Sequence, residues 1–452
     1  MPKSVKSVYL IDMQKVLLLF TTLFILLINV GTQAQTPTDF ADIWEKHHIS
    51  NILPSNARHK DLQKYLAQLK EMGLKIEEVG RSYGNREIYQ IEWGKGETRV
   101  FMWSQMHGDE PTATSALIDM FAYLQKNGDK KWVKKFAETF TIRAVPMLNP
   151  DGSELYQRRN LQDIDINRDA TNLKTPEAQL LKKLRDEWTP QIGFNLHNQQ
   201  GLTTSGDSTK QAAISFLAVL GNPNGITNAG HERNKRVIAA MIIALNRFIS
   251  GYMGRYDEDY NALAFGDNFS AWGTPVILIE TGALYGKDEM FLVKMNFIAF
   301  LSALQSIAGG TEAKLSPINY DLLPINSSGK IAHFIFRKAN IVNFADETIT
   351  PFVSDVAVNM ERRRAEQSVP TKISDIGGLP NLTGLEEYDA SDFYLVPRFG
   401  KLRVGEAGEF LFYKKSRTID WKTPNLETAI PPDAIFSQGK WRTGESVLPK
   451  KN

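Results

Sequence analysis

The chain has 452 residues, enough for two or three domains, and its 42% apolar and 23% charged residues are those of a soluble globular protein. Its formal charge is +2; without Lys3, Lys6, Lys15 and Asp12 of the first 34 residues, 50 basic and 50 acidic side chains remain, which argues against a nucleic-acid partner. With no cysteine, disulfides, thiolate metal sites, a cysteine nucleophile and a lipidated cysteine are all excluded.

Lys15 precedes an apolar run over residues 16–30, long enough for the core of a signal peptide and short for a membrane span. Thr32-Gln33-Ala34 supplies small residues before a cut. The expectation is a signal peptide over residues 1–34, cleaved after about Ala34, giving a secreted or periplasmic protein without a stable membrane span. Met13 would give a more ordinary signal than Met1, and an uncleaved anchor is the alternative.

Residues 61–72 carry Leu62, Tyr65, Leu66, Leu69 and Met72 on one helical face and stop at Gly73. Strand-like runs follow at 74–79, 87–93 and 99–103. The last runs into Met106-His107-Gly108-Asp109-Glu110-Pro111, after which residues 112–125 resume helical spacing. Residues 140–145 read as a strand entering Asn149-Pro150-Asp151-Gly152, a tight turn; 177–188 read as a helix and 191–196 as a strand ending on His197. A long connection, 198–228, leads to a helix over 232–252; a buried strand at 275–279 ends on Glu280-Thr281-Gly282, and 287–307 is the last long helix. Alternating strands and helices predict an α/β domain with helices on both faces of its sheet, over residues 35–313. From Lys314 onward, Pro317, Pro324 and Ser327-Ser328-Gly329 mark a boundary, and 314–452 reads as a small β-rich C-terminal domain with a floppy tail.

In such sheets sites form beyond the carboxyl ends of the strands. His107 and Glu110, the Asn149 turn, His197 and Glu280 each follow an apolar strand run, so the fold can gather them at one edge. A His-x-x-Glu pair alone is common by chance. Joined by His197, it makes a three-ligand set for a metal such as zinc, with a fourth position left for water. Such a centre needs a base that is not itself a ligand, and Glu280 is the candidate. Arg158, Arg159, Asn167 and Arg168, in loop sequence after the Asn149 turn, form a candidate carboxylate clamp. The other histidines lack a partner at ligand spacing: His47, His48 and His59, on polar segments, read as surface residues, and His231 and His333 as structural.

Together, His107-x-x-Glu110, Asn149-Pro150-Asp151-Gly152, Arg158, Asn167-Arg168, His197 and Ile279-Glu280-Thr281 resemble the zinc carboxypeptidase family over about residues 40–310. The resemblance implies a mixed sheet between helices, one Zn2+ per chain held by His107, Glu110 and His197, and Glu280 as general base and acid. It implies that Arg158 polarises the scissile carbonyl, with Arg159 the fallback one residue away, and that Asn167 and Arg168 hold a terminal carboxylate. The family's closing tyrosine falls at Tyr260, with Tyr256 the runner-up, and Asp267 lines the specificity pocket or, alternatively, forms a turn with its own backbone. The expected activity is an exported metallocarboxypeptidase acting on peptides, cell-wall peptides among them. A zinc amidase or deacylase of small acylated amino acids and a catalytically silent binding module are the alternatives.

Overall fold

The computed structural model describes residues 34–343, 350–444 and 447–451, so residues 1–33 of the expected signal segment lie outside the described part. Helices α1 (Pro37–His47) and α2 (His59–Glu71) lead into strands β1 (Lys75–Arg81), β2 (Glu87–Gly94) and β3 (Thr98–Ser104). Then come α3 (Thr112–Lys126), α4 (Lys131–Thr139), β4 (Phe140–Val145), α5 (Pro150–Leu155), α6 (Pro176–Trp188), β5 (Ile192–Asn198) and β6 (Ile214–Ala218). Helix α7 (Ala229–Ile249), β7 (Met253–Arg255), α8 (Phe265–Ala271), β8 (Val276–Thr281) and α9 (Glu289–Gly309) complete the first unit. Its eight strands run in the order β1-β2-β4-β3-β5-β8-β6-β7.

The centre of this sheet, β4-β3-β5-β8, is parallel, and the flanking β1–β2, β2–β4 and β6–β8 pairs are antiparallel. Parallel neighbours present all their carboxyl ends at one edge. Both faces are covered, as alternation along β3 shows: Val100 and Met102 join the core of α3, α7 and α9, whereas Phe101 and Trp103 pack with Leu180 and Leu184 of α6 and Phe269 of α8. Burying each large apolar side chain contributes about 1.5–3 kcal/mol. The expected mixed sheet sandwiched by helices is therefore observed.

A second eight-stranded sheet follows, built from β9 (Ile331–Ile341), β10 (Phe352–Met360), β11 (Thr371–Gly377), β12 (Thr383–Asp389), β13 (Phe393–Pro397), β14 (Phe410–Lys414), β15 (Ala434–Ser437) and β16 (Lys440–Thr443). Its core is aromatic, with Phe336 meeting Phe410, Phe412, Phe436 and Trp441. Strand β9 pairs in parallel first with β12 and then with β13; between these stretches Lys338 adopts φ +54° and donates its backbone N–H to Asp355 at 2.8 Å.

Several expectations are corrected. The region after residue 430 is not a floppy tail: β15 and β16 extend the second sheet as paired strands. Residues 315–328, assigned by their prolines to the C-terminal part, pack on the first sheet instead. Tyr320 is fully buried in that core and its hydroxyl accepts from Ala218 N, while Thr204 pairs with Ser327 and Arg255 with Ile325. The Asn149 turn is the start of α5, with the Asn149 side chain capping it through Gly152 N. The long 198–228 connection contains β6, and His59, expected at the surface, is buried against the Glu87 carbonyl.

Candidate metal centre

Strand β3 ends at Ser104, and Gln105 at φ +51° turns the chain into the His107 loop. Leu148 N and Asn149 N donate to the carbonyls of Ser104 and Gln105, fastening this loop to the end of β4. Gly108 then lies against Gly152 so closely that a Cβ there would sit 1.9 Å from the Gly152 carbonyl carbon, a contact only glycine permits. One close backbone approach thus locks the first candidate ligands to the cap of α5.

His197 and Glu280 are direct partners across the β5–β8 ladder, so their side chains leave the sheet edge together. Across from them, His107 Nδ1 lies 2.9 Å from Glu110 Oε1 and 3.1 Å from His197 Nδ1, and His197 Nδ1 lies 2.7 Å from Glu110 Oε2. All three side chains are buried. Donors about 2.0–2.1 Å from a tetrahedral ion would stand about 3.3 Å apart, so these separations suit one shared cation. Asn198 N donates to Glu110 Oε2 at 3.1 Å, and the Asn198 side chain exchanges hydrogen bonds with Thr112, holding that carboxylate in place.

The electrostatics point the same way. Burial drives Glu280 toward its neutral form, the Glu110 charge adds to this, and together they push its pKa up to about 8. Glu280 Oε2 is buried without a hydrogen-bond partner among the described residues, a costly state for a carboxyl unless a cation stands beside it. Burial opposes the charged form of His107, but Glu110 and Asp165 outweigh it and raise its pKa to about 9. Glu110 is likewise held well below the usual carboxylate range despite its burial, by His107 and His197. Two imidazoles and a carboxylate fit zinc with a fourth position open.

Sequence reading missed one participant. Asp165 Oδ1 lies 3.1 Å from His107 Nε2 and Asp165 Oδ2 accepts from Arg158 Nε at 2.9 Å, so this carboxylate orients the ring whose other nitrogen faces the cluster. Its own pKa is held far below the ordinary range by His107 and Arg158, against the effect of burial.

The remaining expected residues separate clearly. Arg158 reaches the centre, with Nη1 3.1 Å from His107 Nδ1 and 3.4 Å from Glu110 Oε1. Arg159 turns away to the Asp163 carbonyl. Asn167 is buried and accepts from Phe265 N at 2.9 Å; Arg168 is exposed, and its guanidinium donates to the Asn167 carbonyl. Asp267 accepts from Asn261 N, six residues earlier, at 3.0 Å and feels the charge of Arg168. Of the two candidate closing tyrosines, Tyr256 makes the local contact: its hydroxyl donates to Gln199 at 2.8 Å, and its pKa is raised by burial and by Glu280. Tyr260 makes no side-chain hydrogen bond among the described residues.

Residues 60–219 match the family model described as zinc carboxypeptidase. Carboxypeptidase 2 of Trichophyton rubrum is 30% identical over 99 residues, covering 22% of this chain and 18% of that protein. Carboxypeptidase D of Anas platyrhynchos is 28% identical over 223 residues, 41% of this chain and 15% of the relative. The chain thus spans less than a fifth of the length of these relatives. A metallo-carboxypeptidase from Burkholderia cenocepacia superposes with a TM-score of 0.46 at 18% identity, covering 56% of this chain and 69% of that one. Glu280 and Tyr256 lie beyond the matched segment, so their placement rests on the geometry above. Over residues 60–219 this chain carries a zinc carboxypeptidase family domain.

Proposed function

We propose that the protein is an exported zinc metallocarboxypeptidase that hydrolyses the peptide bond beside a free C-terminal carboxylate. The carrying observation is the convergence of His107, Glu110 and His197 on one point, with Glu280, whose Oε2 has no hydrogen-bond partner among the described residues, paired beside His197. His107, Glu110 and His197 would hold the zinc, which when bound would supply Lewis acidity to a scissile carbonyl and to a water. Glu280 takes a proton from the attacking water and returns it to the leaving amine. Arg158, steadied by Asp165, donates to the oxygen of the scissile carbonyl as negative charge builds there. Asn167 and Arg168 receive the terminal carboxylate, and Tyr256, beside Glu280, covers the bound substrate. Export rests on the signal-like character of residues 1–34, and cell-wall peptides belong to the substrate class.

Metal analysis of the purified full chain should find about one zinc, following the three-ligand count. Mass spectrometry of peptide digests, cell-wall fragments included, should show stepwise loss of C-terminal residues. Release of an acyl group from N-acylated amino acids, with peptides untouched, would replace this reading by an amidase.

A further inference from the structure

The connection between β10 and β11, residues 361–370, leaves the second sheet and docks on the first unit. Its anchor is Arg364, only 2% exposed. The guanidinium donates to the carbonyls of Ser55 at 3.0 Å, Glu154 at 3.2 Å and Ser153, and lies over the Tyr156 ring. Ala365 N and Glu366 N donate to the side chains of Ser55 and Asn56, and Arg58 pairs with Glu366 at 2.6 Å. This strap is therefore fixed in place by a buried cation and by backbone hydrogen bonds.

Two residues before the anchor, Arg362 faces the metal centre. Its nearest carboxylate is Asp109, between the candidate ligands His107 and Glu110, at a loose 3.9 Å. Arg362 borders a cavity of about 380 Å³ that also touches Asn198, next to His197, and Gly282, two residues beyond Glu280. Neither Asn167 nor Arg168 lines it. A substrate with its terminal carboxylate on that pair and its scissile bond at the centre would extend its preceding residue into this space.

The charged side chains around the cavity differ in how they are partnered. Glu289 is occupied by Ser55 N and Oγ at 2.7 and 2.6 Å, Asp288 caps α9 through Phe291 N, and Glu361 pairs with Arg363 and Lys372. Arg362 and the exposed Lys287 have no carboxylate within hydrogen-bond distance among the described residues. Two of the lining cations, Arg362 and Lys287, are thus without a hydrogen-bonded carboxylate among the described residues, while Asp288 and Glu289, bonded only to neutral donors, keep their negative charge.

We propose that this strap is part of the substrate site, Arg362 receiving a carboxylate-bearing residue immediately before the scissile bond, so that short acidic peptides are preferred. The proposal rests on the carboxypeptidase reading and adds to it a selecting element from the second sheet.

The test uses the zinc-loaded full chain and two tripeptides identical except for Glu or Lys before the C-terminal residue. The wild type should favour the Glu peptide in kcat/KM by about tenfold or more, the size of one charge-assisted contact. Arg362→Gln should erase that preference, Arg362→Glu should reverse it, and Arg362→Lys should retain it. Calorimetric binding of both peptides in a Glu280→Gln background should follow the same order. A ratio that ignores the charge at position 362 while both peptides are cleaved overturns the strap proposal alone. A wild type that releases no C-terminal residue from either peptide overturns the carboxypeptidase reading and this inference with it. Zinc content and melting temperature measured beside each variant separate a selective loss from misfolding; if Arg362→Gln fails to fold, an Arg362→Lys enzyme without the preference is equally fatal.

Discussion

The inner wall of the cleft consists of loops leaving the carboxyl ends of parallel strands, while its outer wall is a single strap sent across from another sheet. In the inner wall, ladder register places His197 beside Glu280 and a glycine–glycine contact sets the His107 loop. In the outer wall, one buried guanidinium bound to remote carbonyls does the placing. The contrast teaches that the candidate metal-centre groups and those bordering the neighbouring cavity are held by separate devices, which can be disturbed one at a time.

The largest disturbance expected is in the inner wall. Glu280→Gln should lower kcat by about 10²–10⁴-fold while zinc stays bound, since the side chain is a base and not a ligand; metal analysis beside turnover decides it. The pH profile sharpens the same point. Only ionised Glu280 accepts a proton, so activity should be lost as pH falls through its pKa. A cation beside it favours the carboxylate, so the acid limb of kcat/KM should lie below the value of about 8 set by burial and Glu110, and should vanish from any residual activity of the Gln variant. Asp165→Asn leaves all three ligands but removes the partner of His107 Nε2, and should weaken zinc binding about 10–100-fold in chelator competition. Arg168→Ala should cost free-acid peptides about 1.5–3 kcal/mol in kcat/KM and spare amidated ones. The smallest effect belongs to the outer wall. Arg364→Ala leaves buried carbonyls without their donor and should lower unfolding stability by about 1–3 kcal/mol in urea, with zinc content unchanged.

Much of the inner wall was legible because its signals are local. Strands β3, β5 and β8 are continuous apolar runs, as strands buried on both faces must be, and chemistry-bearing residues end each of them. Asp165 escaped because its partner lies 58 positions back and nothing nearby in sequence announces the pairing. Strand β6 is a five-residue stretch inside a loop-like segment, and α4 is a nine-residue helix whose lysines mask Trp132, Val133 and Phe136. Strand β12, with Glu386 and Glu387, reads as surface until β9 is placed beside it. The loop around residues 256–260 offers two similar aromatics, and only the fold distinguishes them by bringing Gln199 to Tyr256. The strap was illegible for a deeper reason: Glu361-Arg362-Arg363-Arg364 looks like solvated charge, and the carbonyls that bury Arg364 come from residues 55–154.

Met360 and Thr371 are paired across the β10–β11 ladder, so both feet of the strap are planted before it leaves the sheet. Lengthening a loop with fixed feet is thermodynamically mild, about 0.6 kcal/mol for each doubling. Insertions on either side of Arg364 within residues 361–370 should therefore change the width of the neighbouring cavity while that anchor and both hydrophobic interiors stay packed.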